Sequence, residues 1–250
     1  MQDHIAAIQE NLNDFYRAEL ASLQRCGALA AADMAALSAP FLLNVEAARP
    51  YFAAPRRVMF VGQETKGWLC RLPQVLSAPD YRLPALRERY ATALHAAPGR
   101  SHFLRMKRHL ENELCNRARG AVLWTNLFRM DVYRGPGRSR NARNYSDVLT
   151  QFSARLFRHE LAQLRPRVII LGCSATHDPI VKALFEAPLR QQVRVYEPRK
   201  LWHFTYDGMH CFRTVHPAVA RFGKGREVHQ YYQTIIETIR QAGSTIETEV

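Results

Sequence analysis

Three short apolar runs, Val58-Met-Phe-Val-Gly62, Val122-Leu-Trp-Thr-Asn126 and Val168-Ile-Ile-Leu-Gly172, each stop abruptly on a small or polar residue. Runs this short and apolar suit strands covered on both faces, the condition of a parallel sheet. Strands are expected at about 57–63, from Gly120 to 126, at 168–172, 192–197 and 211–216. Between them, apolar residues at helical spacing predict helices over 3–25, 31–38, 101–117, 146–164 and 226–241, the last stopped by Gly243. Ser174 or Thr176 is expected to cap a further helix ending near Phe185. Pro73, Pro79, Pro84 and Pro98 predict loop with short helices from Trp68 to Gly99. Glycines and a proline in Arg134–Arg143 forbid a regular element there and imply a basic, mobile loop, and 202–208 reads as irregular. The alternation implies an α/β protein, a three-layer α/β/α sandwich on a mainly parallel sheet of four to five strands. Residues 1–50 read as a helical elaboration on one α/β domain, 51–250.

The polar ends of these runs are the chemically interesting positions, because open α/β sheets bind ligands beyond the carboxyl ends of their strands. Glu64 follows the first run, Asn126 ends the second, and Phe212-Arg-Thr-Val-His216-Pro217-Ala218 ends on an imidazole. An acid, an amide and a histidine, each at its own strand end, suit one polar heterocycle.

The 35 basic against 22 acidic residues leave a formal charge of +13, which favours a polyanionic partner, with nucleic acid foremost. The five cysteines, at 26, 70, 115, 173 and 211, include no C-x-x-C pair, which argues against a disulfide framework, a zinc site or an iron–sulfur cluster. No metal or cofactor is expected. Neither a membrane-spanning run nor a signal peptide is evident, so a soluble protein of the reducing cytoplasm is expected.

Val61-Gly62-Gln63-Glu64, Thr125-Asn126, Leu164-Arg-Pro-Arg-Val-Ile-Ile-Leu-Gly172 and Val215-His216-Pro217-Ala218 resemble, in order and position, motifs of the uracil-DNA glycosylase superfamily. The matching framework runs from about 57 to 240. The resemblance implies base flipping and cleavage of an N-glycosidic bond, with charge developing as in an oxocarbenium-like transition state. Glu64 would orient a water and stabilise the sugar cation, or alternatively cap its turn or pair with Lys66. His216 would donate to the pyrimidine O2 as charge gathers there, worth about 3 kcal/mol for one donor, or alternatively bond backbone at a strand end. Gln63 and Asn126 would read the extruded base, although an Asn can also satisfy backbone at its strand end. Trp68 would stack on that base or belong to the core. Arg221 or Phe222 would fill the vacated space in the duplex. Lys224, Arg226 and the 134–143 loop, through Arg138, Arg140 and Arg143, would hold phosphates.

The chain departs from the resemblance in two places. Many uracil-specific members carry a proline and a bulky tyrosine after the acid, where this chain has Thr65 and Lys66. That difference would open the pocket to pyrimidines enlarged at C5, such as hydroxymethylated or glucosylated cytosine in phage DNA. Lys66 would bond the substituent, and the setting would be antiviral defence. The cysteine ligands of the iron–sulfur branch are also missing. A non-catalytic nucleic-acid-binding module and a small-molecule enzyme on a generic doubly wound sheet are the competing readings; the second lacks a G-x-G-x-x-G or P-loop.

Overall fold

The computed structural model describes residues 1–27, 29–135, 138–140 and 146–246, with the side chains at 81, 139–140, 146 and 243–246 outside the description. In chain order the elements are α1 (Gln2–Arg25), α2 (Ala31–Ala36), α3 (Arg49–Ala53), β1 (Val58–Gly62), α4 (Leu72–Leu76), α5 (Pro79–His95), α6 (His102–Leu114) and β2 (Val122–Asn126). They continue as β3 (Val132–Tyr133), β4 (Ser139–Arg140), α7 (Ser146–Leu164), β5 (Val168–Gly172), a 3-10 turn (Ala175–His177) and α8 (Asp178–Leu184). The chain then forms β6 (Arg190–Glu197), β7 (Leu201–Tyr206), β8 (Met209–Thr214), a second 3-10 turn (Pro217–Phe222) and α9 (Gly225–Ile246).

Among the described residues one six-stranded sheet has the order β2-β1-β5-β8-β7-β6, and helices flank it in a three-layer α/β/α arrangement. Parallel pairing joins β1 to β5 (Val58 opposite Val168) and β5 to β8 (Val168 opposite His210). The last three strands form an antiparallel meander, β8-β7-β6. The fold class is the one expected, with more strands than the four to five anticipated. The additional one is β7, where an irregular segment was expected. His203 obscured it: a histidine in a buried row breaks the apolar alternation, yet here it stacks on Phe212 at 4.1 Å and is only 4% exposed.

Three further differences concern Gly and Pro. The prolines expected to break 68–99 instead start helices: Pro73 and Pro79 lie in the first turns of α4 and α5, where no intrahelical N–H is needed. Pro84 costs α5 one ladder bond early in the helix. Helix α9 continues past Gly243, because the apolar stripe Val228, Tyr232, Ile235, Ile236 and Ile239 buries it against the sheet core and outweighs one glycine. Gly135, at φ +113°, does not end order in the basic loop but turns it into a short ladder, Val132 opposite Arg140 and Tyr133 opposite Ser139.

The chain divides into two compact units, each built from three separate segments. The second unit (50–62, 97–124, 166–250) holds most of the sheet. In its core α6 and α9 pack on Phe60, Val122, Ile170 and Phe212, with the Phe60 and Phe103 rings stacked at 4.2 Å. At the far edge β6 carries two irregularities, between Gln192 and Arg194 and between Val195 and Glu197, each leaving one residue out of the ladder.

The first unit (1–49, 63–96, 125–165) encloses an ion pair that is 0% exposed on both sides, Arg129 Nη2 to Glu160 Oε2 at 2.5 Å. Tyr16 donates its hydroxyl proton to Glu160 Oε1 at 2.7 Å, and Arg129 Nη1 adds a bond to the same oxygen at 3.0 Å. Burial pushes the Glu160 carboxyl up while Arg129 pulls it down. Glu160→Gln is expected to destabilise the protein by about 3–5 kcal/mol, because it strands a buried guanidinium. Tyr16→Phe, which removes one hydrogen bond to the buried carboxylate, should cost less, about 1.5–3 kcal/mol. Urea unfolding of the two variants checks the ranking.

Candidate functional site

Of the singled-out residues, Gln63, Glu64, Lys66, Trp68, Asn126 and Arg138 lie in the first unit. The chain leaves β1 at Gly62 and enters a turn whose shape is fixed at Gly67. That residue has φ +63°, and its amide donates to Asp131 Oδ2 at 2.9 Å. A Cβ there would sit 2.4 Å from the Gly135 carbonyl oxygen and 2.6 Å from that of Arg138. The acid-bearing turn and the basic β3–β4 hairpin are therefore in backbone contact, and only glycine permits the approach. Glu64 is half-buried, Thr65 buried and Lys66 exposed.

Asn126, 2% exposed, ends β2, and the amide of Phe128 just beyond donates to the Gln63 carbonyl at 2.9 Å. This bond ties the turn after β1 to the segment after β2. Trp68, offered as a stacking surface, is 6% exposed, with Phe41 at 4.7 Å and the Arg89 guanidinium 5.4 Å from its ring centre. Its surroundings are those of a core residue. Phe128, passed over in the sequence, is the half-buried aromatic beside Gln63. Its position two residues past Asn126 on the same run was the available signal. Arg138 is exposed, whereas the side chain of Arg140 and the whole of Arg143 lie outside the described residues.

The second unit carries His216, Arg221, Phe222, Lys224 and Arg226. Because β1, β5 and β8 are parallel, their carboxyl ends leave the sheet at one edge, and the segment after β5 meets the segment after β8 there. Ser174 makes that junction. Its amide donates to the Thr214 carbonyl at 2.9 Å, and its hydroxyl accepts from the His216 amide at 3.0 Å. The expected helix cap is thus absent: Ser174 makes no side-chain cap bond, and α8 begins after His177. Ser174 holds φ +67° and ψ 161°, a region nearly reserved for glycine, so the crosslink is made at a cost in backbone strain.

The imidazole of His216 is fixed in both orientation and tautomer. Its Nδ1 accepts the Ala218 amide proton at 3.1 Å, which assigns the ring proton of the neutral form to Nε2. Phe103 stacks on the ring at 5.8 Å and 18°. Burial, with His177 and Arg221 adding to it, pulls the imidazole down to about 4. Near neutral pH His216 is therefore an uncharged donor. Beyond it the 3-10 turn runs to Phe222, which is 68% exposed with the Arg221 guanidinium 4.9 Å from its ring centre. Gly223 at φ +78° ends the turn, and Lys224 and Arg226 are exposed at the start of α9.

Among the described residues no cluster of three or more His, Cys, Asp or Glu is arranged to hold a metal, and no helix is long and apolar enough to cross a membrane. No protein-family model matches this sequence, and no curated protein matches it.

Gly67→Ala is expected to lower stability by about 1–3 kcal/mol through a strained φ and a backbone clash, read by thermal unfolding. For His216, imidazole nitrogen shifts should report a neutral Nε2–H ring down to roughly pH 5. Its folded value of about 4 lies below the ordinary 6.5, so the unfolded chain takes up the proton first. This contribution therefore erodes stability as pH falls below 6.5 and levels off under about 4.

Proposed function

We propose that this protein is a DNA glycosylase that hydrolyses the N-glycosidic bond of a non-standard pyrimidine and leaves an abasic site. The observation that carries the reading is the held state of His216, neutral, half-buried and protonated on Nε2 at the end of a parallel strand. A departing pyrimidine gathers negative charge on O2, and a preorganised neutral donor stabilises it without having to reorient as charge develops. Glu64, delivered just past the end of β1, supplies the carboxylate that orients water and balances charge on the sugar. Gln63 and Asn126 read the base.

Phe222 with Arg221 takes the space left in the duplex, and Lys224, Arg226 and Arg138 hold phosphates, in keeping with the +13 charge. The substrate is a cytosine enlarged at C5, such as hydroxymethylcytosine or its glucosylated form in phage DNA, or else uracil. No bulky ring follows Glu64: Thr65 is small and buried, and Lys66 is exposed, able to meet a polar C5 substituent. The setting is DNA defence in a reducing cytoplasm.

The test is free-base release, followed by mass spectrometry, from DNAs carrying uracil, thymine mismatches, 5-hydroxymethylcytosine and glucosylated hydroxymethylcytosine. Glu64→Gln should lose about 10²–10⁴-fold in rate with DNA binding retained. His216→Asn should lose about 10²–10³-fold. Silence across the panel, with salt-sensitive DNA binding intact, would instead support a non-catalytic nucleic-acid-binding module.

A further inference from the structure

A cavity of about 260 Å³ in the second unit is used by none of the residues discussed so far as acid, donor or wedge. Helix α6 lines it with His102, Arg105, Met106 and His109, spaced to share one helical face, and α9 lines it with Gly225, Val228 and His229. The 3-10 turn closes it with Pro217 and Ala220. The volume lies just below the roughly 300–1,000 Å³ of drug-sized sites, which suits a small group rather than a cofactor.

The lining chemistry narrows the ligand. Three imidazoles and a guanidinium disfavour a cation, and the histidines are not arranged as a metal cluster. The rings of His109 and His229 lie 5.2 Å apart at 41°. A purely apolar guest is disfavoured as well, because His109 Nε2 is buried and has no hydrogen-bond partner among the described residues. An anion answers both points, giving that nitrogen an acceptor and the cationic lining a counter-charge. The neighbouring lysine and arginine of α6 are engaged elsewhere: Lys107 is buried in an ion pair with Glu111, and Arg108 bonds Glu111 and the Arg117 carbonyl.

We propose that this cavity seats one backbone phosphate of a DNA strand, held by Arg105, His109 and His229 behind the 217–222 turn. The choice of DNA rests on the function proposed above. His109 titrates below its ordinary value through burial, with His229 and Arg240 adding to that effect and Glu113 opposing it. The groups facing it are thus His102, Arg105 and Glu113 on α6 and His229 and Arg240 on α9, the last paired with Glu113 at 2.7 Å. A bound phosphate favours the imidazolium form, so binding takes up protons and tightens as pH falls through the histidine range.

The experiment uses the full chain and a fluorescent oligothymidylate, with imidazole resonances followed by NMR and affinity by anisotropy at pH 6 and pH 8. The oligonucleotide is expected to shift the resonances of His109 and His229 and to raise the titration midpoint of His109. Arg105→Gln and His229→Gln, with unchanged melting, should each weaken binding about 5–10-fold at pH 6 and less at pH 8. Arg105→Gln should also lower the salt slope by about 0.7, the single-strand value for one phosphate contact. Unmoved imidazoles, or variants that bind like the parent, would overturn the proposal. Shifts with inorganic phosphate but not with the oligonucleotide would overturn it too, leaving a site for free anion. Base release reports separately. If no base is released while the imidazoles still respond to DNA, the glycosylase reading falls and the phosphate seat stands.

Discussion

The parallel register of β5 between β1 and β8 is the constraint from which the chemistry of this chain follows. Pairing Val58 with Val168 and Val168 with His210 brings three carboxyl ends out at one sheet edge. His216 is then placed by where its strand stops. Ser174 adds the one crosslink the ladder cannot provide, tying the backbone past β5 to the backbone past β8. A small hydroxyl side chain serves because the gap is closed by backbone groups on one side. The strain it carries is the expected mark of a position selected for geometry rather than for local stability.

Buried charge is handled in the same way in each unit: one carboxylate gathers several donors. Glu160 collects Arg129 and Tyr16 in the first, and Glu111 collects Lys107, Arg108 and the Gly120 amide in the second. Such clusters contribute little net stability over an apolar substitute but penalise any arrangement that leaves one member alone. The Glu111 cluster engages Lys107 and Arg108, whereas Arg105 and His109 of the same helix line the cavity.

Much of the sheet was legible because its central strands are β-branched, short and covered on both faces, a pattern that few helices imitate. The misjudged segments share a cause. Prolines at 73 and 79 look like breaks in a linear reading, but they are compatible with helix starts. In β7, polar His203 hid a strand because its partner, the Phe212 ring, lies on a neighbouring strand. At the candidate site, Glu64, Asn126 and His216 were visible as polar stops. The crosslink at Ser174 and the stacking of Phe103 were not, because each depends on a backbone bond or a ring contact that sequence order does not encode. Gly67 is of the same kind: its need to be glycine comes from the carbonyls of Gly135 and Arg138, far along the chain.

The outer strand of the sheet has one more consequence. β6 is largely exposed along its length, with Val193 and Val195 open to solvent, and such an edge would ordinarily offer a row of unpaired amides and carbonyls to another molecule. Its two irregularities bend that row and break its spacing, while Arg190 and Arg194 place charge along it. A strand interrupted in this way is a poor template. At high local concentration, such an edge would favour separate molecules over fibres.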